Sequence, residues 1–192
     1  YEGTGDEFID MYREKVLYAD IVVFANTVHD RCMSSLWHRY LERSFMRTHQ
    51  PVLAGKQVVY LVSGPFSGDH NMREFLQMYA ETMRANVVRY VTDEAGDSRK
   101  LDLVIDTAAR EAVFLAENDV HRPLTFLGIG GMKIFRDDIY GGLRFVFQAD
   151  DRYYRKHGIY DFPQKKPFFN LMITLLMGLS RLPFLRERIR RS

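Results

Sequence analysis

Cys32 stands near Asp30 and Arg31, at a strand end just ahead of an amphipathic run, a position that invites the reading of a thiol nucleophile. The spacing does not complete such a site. A phosphatase loop of the C-x5-R type needs Arg at 38, and His38 is there, so Cys32 is read as a small side chain packing at a helix start. The histidines show no H-E-x-x-H or other tight spacing, so no metal site is expected. A P-loop fails because Gln50 stands where Gly must precede Gly55-Lys56, and "GIGGMK" (128–133) opens like a dinucleotide fingerprint but ends on Lys133. What remains are two short stretches, "ANTVHDR" (25–31) and "SGPFSG" (63–68). Their small residues and backbone N–H groups suit the close approach of a flat ring, which makes them a binding edge and not an acid–base pair.

The surrounding pattern decides where these stretches sit. Residues 6–17 read as a short helix with Asp6 as N-cap and Phe8, Met11, Tyr12 and Lys15 at helical spacing. "DIVVFA" (20–25) is a continuous apolar run, expected to be a strand buried on both faces. The helix after it places Met33, Leu36, Trp37, Tyr40, Leu41 and Phe45 on one stripe, which is read as core. "QVVYLV" is a second strand, and a helix capped by Asp69 or Asn71 follows with Met72, Phe75, Leu76, Tyr79 and Met83 inward. "NVVRYVT" (86–92) is a third strand, and residues 98–118 form a long helix with Leu101, Val104, Ile105, Ala108 and Ala112 inward. This alternation predicts an α/β fold with a parallel sheet, in which ligands sit outside the carboxyl ends of the strands, where both stretches fall. Three strands make a narrow sheet with exposed edges, so further strands upstream or a partner copy over one edge are expected.

From Arg122 the pattern changes. A helical stripe of Met132, Phe135, Ile139, Leu143, Val146 and Tyr153 runs to a stop at Gly158, with a kink or close packing expected at Gly141-Gly142. The block "DDRYYRKHGIYDF" reads either as a packing helix or as a lid. A last helix over about 167–180 has an apolar run of about thirteen residues, short of the roughly 20 that a membrane span needs. Its apolar face is expected to cover the core or a partner subunit, with peripheral contact to an anionic membrane through the basic tail as the lesser alternative.

Composition sets limits. The 192 residues are 46% hydrophobic and carry a net charge of +2, enough for one sizeable core and too little for a global field that attracts nucleic acid. From Pro163 onward, however, Lys165, Lys166, Arg181, Arg186, Arg188, Arg190 and Arg191 face only Glu187. The lone cysteine excludes an internal disulfide and suits a reducing cytoplasm, and the first residues lack both a basic start and the apolar run of a signal peptide. Without an initial Met, the chain is expected to continue upstream.

The stretches "YADIVVFANTVHDRCMSSLWHRYLERSF" and "LAGKQVVYLVSGPFSG" resemble strand three, strand four and their loops in the flavodoxin-like fold, and within it the NAD(P)H-dependent FMN reductase and iron-sulfur-flavoprotein-like group. The resemblance implies a three-layer sandwich whose parallel sheet lacks its N-terminal strands, with residues 1–121 as the flavodoxin-like domain and 122–192 as a helical extension packing on it or on a partner subunit. It further implies FMN, with Asn26, Thr27, Val28, His29, Asp30 and Arg31 along the isoalloxazine ring and Ser63, Gly64, Pro65 and Ser67 flanking its pyrimidine side. Hydride would pass from NAD(P)H through flavin to a small-molecule acceptor such as a quinone or a second flavin. The family often has Pro and an aromatic residue in the first loop, where this chain has Thr27 and His29. Its phosphate loop, first two strands and cluster cysteines would all lie upstream. A homo-oligomer is expected, and the alternatives are an electron carrier or a cofactor-free interaction module that uses the basic C-terminal helix.

Overall fold

The computed structural model describes residues 5–45, 49–161 and 166–179. Two compact units are present, Tyr1–Gly131 and Met132–Ser192.

In the first unit, α1 (Glu7–Met11) starts where the Asp6 carboxylate accepts the Phe8 N–H at 2.9 Å, and a π-helical turn (Tyr12–Val16) leads to β1 (Ile21–His29). A two-residue strand, β2 (Cys32–Met33), pairs back on β1; α2 (Ser35–Ser44), β3 (Gln57–Ser63), α3 (His70–Thr82), β4 (Asn86–Thr92) and α4 (Ser98–Glu117) follow. The fold is therefore α/β. Its four-stranded sheet has the order β2-β1-β3-β4, with β1, β3 and β4 parallel and only the β2 hairpin antiparallel. Asp69 is the α3 cap, accepting from the Met72 N–H at 3.0 Å, while Asn71 lies inside the helix.

One sheet face carries the main core. Val22, Phe24, Val58, Tyr60, Val62 and Val87 point toward Trp37 of α2 and Met72, Leu76 and Ala80 of α3. Tyr60 is 1% exposed; its ring stacks on Tyr90 at 5.3 Å and on Phe24 at 5.6 Å, and its hydroxyl donates to the Leu76 carbonyl at 2.9 Å. The other face is covered only in part. Ala108, Ala112 and Leu115 of α4 bury Val59, Val88 and Val91, whereas Val23 is 54% exposed and Ala25 is exposed as well. The expectation of a first strand buried on both faces is thus corrected, because α4 lies over β3 and β4 and leaves that face of β1 uncovered. For the same reason Val104 and Ile105 are not inward; on the other face Leu36 of α2 and its C-cap Phe45 are exposed, a correction to the predicted stripe.

The two sheet edges differ. Along β4 the Arg122 guanidinium donates to the carbonyls of Val87 and Val88 at 3.0 and 3.1 Å and pairs with Glu111 at 2.7 Å. Along β1, among the described residues, strand pairing on the outer side is limited to Val28 and His29. Between α4 and α5 (Phe126–Tyr140) the chain is held by buried Glu81 of α3, which accepts from the Thr125 N–H at 3.1 Å and from the Gln77 amide at 2.6 Å. Gly128 and Gly131 are the reason "GIGGMK" exists: a Cβ at either would sit 2.4 Å from Glu81 Cβ or Thr82 Oγ1, so the glycines permit flush packing of the α5 start on α3.

In the second unit the predicted continuous helix is broken. After α5, Gly141 and Gly142 lead into a 3-10 turn (Leu143–Phe145) and then α6 (Gln148–Lys156), which ends before Gly158 at φ 62°. The aromatic block packs within this unit: Tyr154 is buried, and Tyr160 Oη donates to Asp151 at 2.9 Å. The last described element of the unit is α7 (Pro167–Leu179); the basic residues from Arg181 to Arg191 lie outside the described residues. No helix among the described residues is long and apolar enough to cross a membrane.

Leu76→Ala should cost about 2–5 kcal/mol of unfolding free energy in a urea titration, and Leu36→Ala less than about 0.5, since only the first empties a core site. Equal losses would contradict the placement of α2 and α3.

Candidate functional site

The first stretch is not a loop after a strand. β1 continues through Asn26, Thr27, Val28 and His29, turns at Asp30 and Arg31, and returns as β2, with His29 opposite Cys32 and Val28 opposite Met33. Asp30 and Arg31 take φ of 48° and 62°, the sign pattern of a type I′ hairpin turn, in which Asn-Gly is the favoured pair. Both residues are exposed non-glycines in a left-handed conformation, a cost of about 1 kcal/mol or more each. Cys32 is exposed on β2, so the reading of a packed side chain at a helix start is also corrected.

The second stretch is a loop, and it lies directly against the hairpin. Gly64 has φ 106°, and a Cβ there would come within 2.9 Å of the Val28 carbonyl oxygen. Only glycine permits that approach. Thr27 and Ser63 are register partners on β1 and β3. The two stretches singled out in the sequence are therefore neighbours in space.

Two carboxylates from the loop after β4 fasten this loop. Asp93 accepts the Ser63 hydroxyl at 2.5 Å and the Gly64 N–H at 3.0 Å. Glu94 accepts the N–H groups of Phe66 and Ser67 and the Ser67 hydroxyl at 2.9–3.1 Å. The Ser63 hydroxyl and Gly64 N–H hold the Asp93 carboxyl below the usual carboxylate range. Glu94 is also lowered: desolvation pushes it up, but the donors on Ser67 and Phe66 outweigh it. Neither residue was singled out from the sequence. The signal was "TDEAGD", which occupies the carboxyl end of the third strand as the two chosen stretches occupy those of the first and second.

Beside these loops runs a groove of about 680 Å³. Its apolar wall includes Val23, Ala25, Leu61, Leu101 and Ile105, and its polar rim includes Asn26, Thr27, Ser34, Ser63 and Asp93. The Ser34 hydroxyl donates to Asn26 Oδ1 at 2.6 Å and accepts the Trp37 N–H at 3.4 Å, which ties the strand to the start of α2. That leaves Asn26 Nδ2 buried without a partner, as is Nε1 of Trp37, a residue 5% exposed on the groove wall. Two buried donors with no acceptor are costly unless a ligand or water completes them. A second hollow, of about 860 Å³, lies between the hairpin tip and the other loop and is lined by Arg31, Cys32, His38, Pro65, Asp69 and His70. Arg31 and Pro65 thus meet there, whereas His29 lines neither hollow. Among the described residues no group of three His, Cys, Asp or Glu is placed to hold a metal ion.

No family model matches the chain, and no curated protein matches it significantly.

Because the folded pKa values of Asp93 and Glu94 lie below their unfolded ones, the stability they contribute is fully present above the unfolded value and is lost as pH falls through the folded one. Amide exchange measured by NMR should therefore show Gly64, Phe66 and Ser67 protected at neutral pH and losing protection only below about pH 4. Glu94→Gln should lose protection at Phe66 and Ser67 at pH 7; unchanged protection would refute the clamp. Arg31→Gly should raise stability by up to about 1 kcal/mol in urea unfolding, because relief of the left-handed φ outweighs the larger unfolded-state freedom of glycine.

Proposed function

We propose that this chain is the carboxyl-terminal part of a flavodoxin-like flavoprotein, an FMN-dependent NAD(P)H oxidoreductase whose ring-binding edge is the groove beside the β1–β2 hairpin and the 63–68 loop. The observation that carries this reading is the buried, unpartnered pair Asn26 Nδ2 and Trp37 Nε1 on the wall of an apolar groove at the carboxyl ends of parallel strands. A flat ring with carbonyl and ring-nitrogen acceptors, seated at the β1 edge, would answer these donors, which lie on the sheet face opposite Val23 and Ala25.

The residues fit the ring of a flavin and not its phosphate. The amides that form an anion cradle in the 63–68 loop are taken by Asp93 and Glu94. The phosphate site and the first two strands of the fold are accordingly assigned to an upstream segment, whose strand would extend the unpaired outer edge of β1. When bound, flavin supplies the hydride-accepting chemistry. The chain's own residues bind and orient: Asn26 and Trp37 donate to acceptors on the ring, Asp93 accepts from a ring N–H, and the apolar wall excludes water. Arg31, His38 and His70 around the second hollow favour the phosphates of a nicotinamide dinucleotide. No protein acid or base has to move a proton in hydride transfer, which agrees with a rim that positions its ligand.

A second reading is favoured by one observation. The 63–68 loop is complete without any ligand, as a cofactor-free interaction module of the same fold would require.

Trp37 is the single tryptophan, so its fluorescence reports on the groove. Riboflavin and FMN should both quench it saturably and with similar affinity, because the described residues meet only the ring. Trp37→Phe should weaken riboflavin binding, read by quenching of flavin emission, by up to about tenfold, the worth of one hydrogen bond. Absence of quenching by either compound, in this chain and in a version extended upstream, would reject the flavin reading in favour of the interaction module. Bleaching of bound flavin by NADPH would then separate a reductase from an electron carrier.

A further inference from the structure

α7 in the second unit is held on one side through Asn170: Arg144, 4% exposed, donates to the Asn170 carbonyl at 2.6 Å and to Asn170 Oδ1 at 3.2 Å, and reaches the exposed Thr174 at 3.5 Å. Ile173 is buried on the same side. At helical periodicity the opposite side holds Phe168, Leu171, Met172, Leu175 and Leu179, which are 87, 59, 45, 62 and 51% exposed. None of the five carries a charge or a hydrogen-bonding group. The Arg144 contacts fix the rotation of the helix, because turning the stripe inward would strand a buried guanidinium.

Basic residues bracket this stripe in the sequence. Lys165 and Lys166 precede it, and Arg181, Arg186, Arg188, Arg190 and Arg191 follow, with Glu187 the lone acid among them. We propose that the outward face of α7 docks on a lipid bilayer carrying anionic headgroups, with the apolar stripe at the acyl boundary and the flanking basic residues on the headgroups. The helix has 13 residues, which at 1.5 Å each give about 20 Å, so it lies along a hydrocarbon layer about 30 Å thick and does not cross it. Charge selects the partner. A second copy would carry the same basic sequence on either side of its own stripe, and nucleic acid would answer the charge but leave the five apolar side chains in water. This inference stands on the second unit alone and is independent of the flavin reading.

The test is flotation of the full chain with vesicles of phosphatidylcholine alone and of phosphatidylcholine mixed with phosphatidylglycerol. The chain should float with the mixed vesicles, stay behind with the neutral ones, and be released by raised salt. The double variant Leu171→Asp, Leu175→Asp should lower the partition coefficient at least about tenfold, as should Arg186→Gln, Arg188→Gln, Arg190→Gln, Arg191→Gln. The second variant leaves α7 itself untouched and decides the question if the first unfolds by circular dichroism. Failure to float on anionic vesicles, or equal flotation on neutral ones, overturns the proposal. A dimer in size-exclusion chromatography that Leu175→Asp converts to monomer, with no vesicle binding, gives the face to a second copy instead.

Discussion

The seating of Tyr60 in the middle strand is the contact on which the first unit depends. Among the described residues β3 is the one strand paired along its length on both sides, and Tyr60 lies near its centre, with one aromatic neighbour from each flanking strand and its hydroxyl on the backbone of α3. Burial pushes its ionisation well above the ordinary tyrosine range, so it acts as a neutral donor throughout the physiological range. Sheet registry, the aromatic layer and the placement of α3 are thereby set together. The loops at the carboxyl end of β3 inherit their positions from that arrangement.

How much of this was legible depends on what each residue's neighbours are. Strand and helix alternation, the Asp69 cap, the stop at Gly158 and the span of α7 rest on local chain chemistry, and all can be read from sequence. The exposure of Val23, Val104 and Ile105 cannot, because periodicity shows which side is apolar and not whether another element covers it. The hairpin escaped because its turn uses Asp30-Arg31 where glycine and asparagine are the recognisable residues. The glycines of "GIGGMK" pointed to a backbone that needs close approach, and the partner proved to be Glu81 and Thr82 in place of a phosphate.

The candidate site follows the same division. Two stretches chosen for their place at strand ends do meet, because parallel strands in register bring consecutive carboxyl ends side by side. The third strand end belongs to the same edge and supplies two carboxylates that bond the loop. Their effect is to make the rim rich in acceptors and hostile to anions.

The unequal treatment of the sheet edges has a consequence for assembly. With Arg122 bonded to the carbonyls of Val87 and Val88, the start of the β4 edge is already occupied, whereas among the described residues the outer side of β1 is met only at Val28 and His29, so β1 is the more open of the two edges to an added strand.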